Sequence, residues 1–375
     1  MTTDLAGLPT PTLLLDRPRL TRNIDRIAAR ARALGVRLRP HVKTHKCVEV
    51  ARLQAAAGIG GLMVSTLAEA RTFAAHGFDD LVYGVPVEPG KFGAVCDVAA
   101  RGPNIGVLTD DVDVPAPLGA AAAAAGVVLD VWIKVDTGYH RCGVAPDAPA
   151  LRAIAERVGA HRALRFAGLL THAGHAYHAR GAAAVRAVAT AERDRMHEAR
   201  ASLAAVGIAT PALSLGSTPT LTHVDHLQGV DEVRAGNYVF FDVAQATIGS
   251  CTRDDTVLTV LAAVVHRDRS AGRLVLDAGG IALSKDRGAV DLDPTTGYGE
   301  LLDLDGRDLG LRLDGLSQEH GVVTAADPAA LEALPVGARV RIRVNHACLT
   351  AAQHAEYVVH DGRQVVDRWV NHRGW

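Results

Sequence analysis

Hydrophobic and polar positions fall into two textures along this chain. Over the first two thirds, short β-branched or apolar runs recur at 36–43, 61–66, 80–86, 104–110, 128–136, 165–172, 212–217 and 232–240. Between them lie stretches such as 19–34, 67–77 and 182–206, in which apolar residues return every three or four positions. Strand-like runs alternating with helical periods are the pattern that builds parallel sheet with helical crossovers. Eight such units predict a closed (β/α)8 TIM-type barrel of the α/β class rather than a doubly wound sheet. Thr66 and Glu69, in STLAEA directly after the second run, read as a capping box that starts a helix.

From about Gln245 the texture changes to strands separated by turn signals, at 256–266, 272–276, 309–313, 337–344 and 357–360. The last is followed by Asp361-Gly362 and a further run at 364–369, which predicts a hairpin. The expected organisation is a barrel domain over 1–245, whose first residues could join the other domain, and a mostly β domain over 246–375.

Composition narrows the class of function. Forty Lys plus Arg against 41 Asp plus Glu leave a net charge of -1, so the surplus of cations a nucleic-acid binder needs is missing. No apolar run is long enough to span a membrane, and Met1 to Pro9 carries acid and proline where a signal peptide needs base and then an apolar core. A cytoplasmic protein with no membrane partner is expected. Cys47, Cys96, Cys142, Cys251 and Cys348 are odd in number and widely spread, so no disulfide framework is expected.

Barrel enzymes place reactive groups at the C-terminal ends of strands, and those ends are unusually polar here. The first ends RPHVKTHK, where alternation puts Arg39, His41 and Lys43 on one face; a desolvated lysine there is suited to Schiff-base chemistry, and a solvated surface lysine is the plain alternative. The fifth run ends KVDTGYHRCG, gathering Lys134, Asp136, His140 and Arg141. The sixth ends THAGHAYH, with His172, His175, Tyr177 and His178, a cluster able to bind metal that a chain with 17 histidines can also produce by chance. Gly216, Ser217 and Thr218 after the seventh, and Gly236 and Asn237 in the eighth, could donate to a phosphate. In VNHACLT, His346 and Cys348 are two apart on an expected strand and face one side, a pair suited to zinc with open positions or else a buried histidine beside an inert thiol.

RPHVKTHK, VSTLAEA, GFDDLVYGVPV, LGSTPT, GNYVFFD, LSQEHG, HACLTAAQH and the terminal HRGW, taken in order, resemble the fold type III, alanine racemase-like pyridoxal phosphate enzymes. Within that group they are most similar to the eukaryotic-type D-serine dehydratase and D-threonine aldolase family. The resemblance implies pyridoxal 5'-phosphate as cofactor, bonded covalently to Lys43. It places Arg141 near the cofactor's phenolic oxygen and Tyr177 near its ring nitrogen, with His175 in the catalytic set. Gly216, Ser217, Thr218, Gly236 and Asn237 become the phosphate cup, with Tyr238 nearby. His346 and Cys348 become ligands of a divalent metal, zinc by analogy.

The implied activity is dehydration of a β-hydroxy-D-amino acid, D-serine first, with D-threonine or 3-hydroxy-D-aspartate as further substrates. Retro-aldol cleavage to glycine and an aldehyde is the alternative, since some aldolases of the group carry a carboxylate where Cys348 stands. A racemase would leave His346 and Cys348 without a task, a non-catalytic cofactor carrier would lack the β domain, and a structural zinc would need four protein ligands. Relatives pair head to tail, so a homodimer is expected by analogy.

Overall fold

The computed structural model describes residues 4–375. It divides into two units: the residues through Asp25 together with Asn237–Asn371, and Arg26–Gly236 together with His372–Trp375. The chain opens with β1 (Thr12–Asp16) and α1 (Arg17–Ala33). Eight parallel strands follow: β2 (Arg37–Leu38), β3 (Leu62–Val64), β4 (Asp80–Pro86), β5 (Asn104–Thr109), β6 (Leu129–Lys134), β7 (Leu164–Leu170), β8 (Leu213–Leu215) and β9 (Glu232–Val233). The intervening helices are α2 (Val48–Ala56), α3 (Leu67–Ala75), α4 (Phe92–Ala99), α5 (Pro115–Ala124), α6 (Pro149–Gly159), α7 (Gly181–Ala204) and α8 (Thr218–His223).

These strands are hydrogen-bonded in the order β2-β9-β8-β7-β6-β5-β4-β3. A parallel bridge from His41 to Met63 joins the two ends, with the Met63 amide donating to the Pro40 carbonyl at 2.9 Å, so the predicted barrel closes. Each strand is sandwiched between barrel interior and helices, which is why β6 is buried at every position. Met63, Val82, Leu108, Trp132 and Leu170 pack together across successive strands.

Two local expectations need correction. The first run keeps sheet bonding only as far as His41, whose amide donates to Ala235 at 3.1 Å. The imidazole of His41 then accepts the Lys43 amide at 3.4 Å and caps a 3-10 turn, Val42–Thr44, so Lys43 lies on that turn and the alternation with Arg39 and His41 is broken. The capping box is half formed: Thr66 accepts the Glu69 amide at 3.1 Å, but the Glu69 carboxylate turns to the Ser65 amide at 2.7 Å and to Lys46.

The other unit continues with α9 (Val243–Ile248), β10 (Leu258–Asp268), β11 (Arg273–Leu276), α10 (Gly280–Leu283), β12 (Glu300–Leu302), β13 (Asp308–Arg312), β14 (Gly315–Leu316), β15 (Gly321–Thr324), β16 (Arg339–Arg343), α11 (Ala347–Ala351), β17 (Glu356–His360) and β18 (Val365–Val370). Its sheet runs β13-β12-β16-β10-β1-β17-β18, with β11 pairing β10 and β15, and β14 pairing β15. β1 is therefore internal: Leu14 faces Thr259 across an antiparallel pair and Val358 across a parallel one. Leu5, Leu8, Leu14, Leu261 and Val358 form a core here. The β17–β18 hairpin pairs Tyr357 with Trp369.

Along the chain the two units change over at Gly236/Asn237, close to the join expected at about 245. The reason is hydrogen bonding: the Val257 amide donates to Phe240 at 2.8 Å and the Val243 amide to Val344 at 3.2 Å, so the segment after Asn237 already belongs to the β unit. No disulfide joins any of the five cysteines, and among the described residues no helix is long and apolar enough to cross a membrane.

Candidate active site

Lys43 is exposed on its one-turn helix, and its ammonium has no hydrogen-bond or ion-pair partner among the described residues. The desolvation expected at a strand end is thus not what the structure shows. Two other lysines lie on neighbouring segments. Lys46 is committed to an ion pair with the fully buried Glu69. Lys134, the last residue of β6, is buried, and burial together with the nearby Arg234 pushes it down to about 8.

His172 marks where the positive charge converges. Burial first, then the fields of Lys134, Lys43, Arg141 and Arg234, hold it well below the ordinary histidine range, so it is a neutral imidazole among four cations. His41 is neutral for the same reasons, with Lys43 the largest of its neighbouring charges. Arg141 lies over the Tyr139 ring at 5.1 Å, and that ring also stacks on His175 at 6.4 Å and meets His172 edge-on at 6.1 Å. The loop carrying them is pinned by Asp136, whose Oδ1 accepts the amides of Gly138, Tyr139 and His140 at 2.9 to 3.1 Å. Gly174 makes the packing possible, since a Cβ there would overlap the Tyr139 ring. It opens the 3-10 turn Gly174–His178 that carries His175 and Tyr177, the latter 6.4 Å from His172.

The segment Gly216–Thr218 is less open than its sequence suggested. The Gly216 amide donates to Glu192 Oε1 at 3.1 Å and the Ser217 amide to Thr220 Oγ1 at 2.8 Å. Ser217 Oγ accepts the Thr220 amide at 3.4 Å, which completes a capping box on α8, and lies 3.0 Å from Thr220 Oγ1, so the serine hydroxyl is occupied with its own helix. Thr218 is buried at the first position of that helix. Glu192 is a residue that sequence reasoning missed. From α7 its Oε1 accepts both the Gly216 amide and, at 2.9 Å, the Ala173 amide, tying the loop after β7 to the loop after β8. A signal existed, because Glu192 falls on the buried stripe Val185, Ala189, Met196, Ala199, Leu203 of that helix. Arg234, also missed, is buried with its guanidinium on Ser214 Oγ at 2.5 Å and on the Thr171 carbonyl, and burial lowers it to about 10. Gly236 lies so close to the Lys43 segment that a Cβ would come within 2.7 Å of the His41 carbonyl.

In the β unit, Asn237 and the fully buried Tyr238 form a 3-10 turn ending at Val239. The Asn237 side-chain amide donates to Asp242 Oδ2 at 2.7 Å and reaches Cys348 Sγ at 3.8 Å. His346 and Cys348 are not on a strand: β16 ends at Arg343, His346 is the N-cap of α11 and Cys348 is in its first turn. The two still interact. Burial opposes charge on His346, yet a 2.6 Å hydrogen bond to Asp286 Oδ2, the Cys348 sulfur and Asp242 together lift it to about 11. An imidazole oriented by a carboxylate beside a thiol, in surroundings that favour positive charge, suits a borderline-soft cation. At the barrel, an amine without a protein partner amid clustered cations suits a phosphate-bearing aldehyde.

Fold and site together define the pyridoxal phosphate-dependent barrel enzymes of alanine racemase architecture. Residues 15–243 match the alanine racemase N-terminal domain and residues 257–360 the serine dehydratase domain. D-threo-3-hydroxyaspartate dehydratase of Delftia sp. (strain HT23) is 41% identical over 99% of both chains. D-serine dehydratase of Dictyostelium discoideum is 29% identical over 99% of this chain and 98% of its own, and D-threonine aldolase of an Arthrobacter species 32% over 99% and 94%. The solved D-threo-3-hydroxyaspartate dehydratase superposes at TM-score 0.95 and 40% identity, covering 100% of both chains, in a cysteine-to-alanine variant in the metal-free form. The chain belongs to the D-serine dehydratase and D-threonine aldolase family, and it is a pyridoxal phosphate-dependent lyase of β-hydroxy-D-amino acids.

Proposed function

We propose that this enzyme is a metal-assisted dehydratase, that it converts D-threo-3-hydroxyaspartate or D-serine to the 2-oxo acid and ammonia, and that it does not act mainly as an aldolase. The observation that carries the reading is the His346–Cys348 pair with Asp286 on the imidazole. The reading is supported by a relative named as a dehydratase that has been solved as a histidine-to-alanine and a cysteine-to-alanine variant at positions two apart, the latter in the metal-free form.

Bound pyridoxal phosphate supplies an electron sink for charge developing at the substrate α-carbon. His346 and Cys348 would hold a divalent metal, zinc by the softness of the donors, which would supply Lewis acidity for departure of a β-hydroxyl. Lys43 would carry the cofactor and, once the substrate amino group has taken its place, its freed Nζ would take the α-proton. Lys134, Arg141 and Arg234 hold the field that draws an anionic cofactor and substrate in, and neutral His172 and His41 add no charge to it. Tyr177 and His175 sit on the turn beside His172 and orient the cofactor ring. Gly216, Ser217, Thr218, Gly236, Asn237 and Tyr238 are the phosphate cup of this reading; because the Ser217 hydroxyl and the Gly216 and Ser217 amides are already bonded within the protein, the other four residues would supply its donors.

Product analysis tests this. Incubation with D-threo-3-hydroxyaspartate, D-serine and D-threonine should release ammonia and 2-oxo acids in equal amounts; glycine as the main product would overturn it in favour of aldol cleavage.

A further inference from the structure

Asp242 is placed to do more than cap a helix. Its Oδ1 accepts the Gln245 amide at 2.9 Å and so starts α9. Its Oδ2 takes two donors outside that helix, the Asn237 side-chain amide at 2.7 Å and the Ala347 backbone amide at 2.9 Å. Ala347 stands between His346 and Cys348, and the same Asn237 amide reaches Cys348 Sγ at 3.8 Å. The juxtaposition depends on a strained backbone: Phe241 has φ +43°, in the left-handed region that a phenylalanine seldom enters, and this reverses the chain so that Asp242 comes back to Asn237. One buried carboxylate therefore fixes a residue of the phosphate cup and the peptide that carries both metal donors.

We infer that Asp242 is a positioning residue that couples the two ligands of this enzyme: metal on His346 and Cys348 strengthens retention of pyridoxal phosphate, and the cofactor strengthens retention of metal by the same factor. The inference rests on the proposed roles of Asn237 at the phosphate and of His346 and Cys348 at the metal. Reciprocity follows from linkage, because both ligands bias one rigid hydrogen-bonded unit.

The test is a binding cycle on the full-length enzyme without turnover. Zinc affinity is measured by competition with a chromophoric chelator, with cofactor present and after its removal, and cofactor retention is followed by its absorbance with and without zinc. The two affinities should be coupled by about 5- to 150-fold in the unaltered enzyme. Asp242→Asn keeps an acceptor for the Gln245 amide but turns an NH2 towards two donors, so zinc affinity should fall about 10- to 100-fold and the coupling factor approach one. A purely structural role would lower the melting temperature of Asp242→Asn and leave the coupling factor unchanged, which would overturn the inference. Uncoupled affinities in the unaltered enzyme would do so without any variant. Asn237→Ala, which leaves the cap intact, should weaken cofactor retention and coupling together. Unchanged cofactor retention there would overturn the phosphate-cup role itself, whereas weaker retention with unchanged coupling would overturn the coupling alone.

Discussion

Three lysines compete for the cofactor, and what each already does separates them. Lys46 neutralises Glu69, whose carboxylate is fully buried and would be left unpaired if that lysine were diverted. Lys134 lies inside the barrel at the end of β6, whereas Lys43 is exposed and unpartnered among the described residues. Borohydride reduction of the holoenzyme should leave the cofactor on Lys43, and peptide mapping that finds it on Lys46 or Lys134 would contradict the assignment. His45, two residues on, makes a separate prediction. Its ring is fully buried, and burial pushes it down to about 3, whereas an unfolded histidine titrates near 6.5. The unfolded chain thus binds the extra proton first, so stability present above pH 6.5 is lost as pH falls towards 3, at about 1.4 kcal/mol per pH unit for this one group. Unfolding curves of His45→Asn, which keeps an acceptor for the Cys47 amide, should show a shallower loss between pH 6.5 and 5 than the unaltered enzyme.

Among the elements, what the sequence revealed tracked length. Barrel strands such as β6 stood out because burial on both faces writes itself as an unbroken apolar stretch, and α7 stood out because 24 residues display several turns of one stripe. The errors fell on pieces too short to show a period: the three-residue turn under Lys43 and the five-residue helix under His346 and Cys348, both read as strand. Glu192 and Asp242 were missed for another reason. Their importance comes from accepting amides of distant segments, which no local pattern encodes. The cap of α8 is open to a direct trial. Ser217→Ala removes the hydroxyl paired with Thr220 and should cost on the order of 1 kcal/mol of stability, read by denaturant melting, and weaken cofactor retention through the same loop. Stability lost with cofactor retention unchanged would take the loop out of the phosphate site.

For the molecule as a whole, the proposed roles of metal and cofactor, with Lys43 as the base, allow the reaction to be divided. Chelation in excess cofactor should abolish 2-oxo acid formation, since hydroxide would then have to leave without a Lewis acid. Exchange of the substrate α-proton with deuterated solvent should persist, because it needs Lys43 and the cofactor only. Proton NMR of a D-amino acid incubated with chelated enzyme reports both events at once, and undiminished elimination would reduce His346 and Cys348 to packing.

The internal place of β1 bears on how the ribosome delivers this protein. Thr12–Asp16 is synthesised before the barrel, yet its two neighbours, Leu258–Asp268 and Glu356–His360, emerge only after it. The unit that carries His346 and Cys348 therefore cannot complete its sheet until after the barrel has been made, while Arg26–Gly236 leaves the tunnel as one uninterrupted stretch able to fold on the way. Stalled nascent chains should accordingly acquire a protease-resistant barrel well before the N-terminal strand is protected, and that strand should become resistant only once His360 is clear of the ribosome. The apolar Leu13, Leu14 and Leu15 wait through that interval with no sheet to enter, which makes β1 a segment for a chaperone to cover.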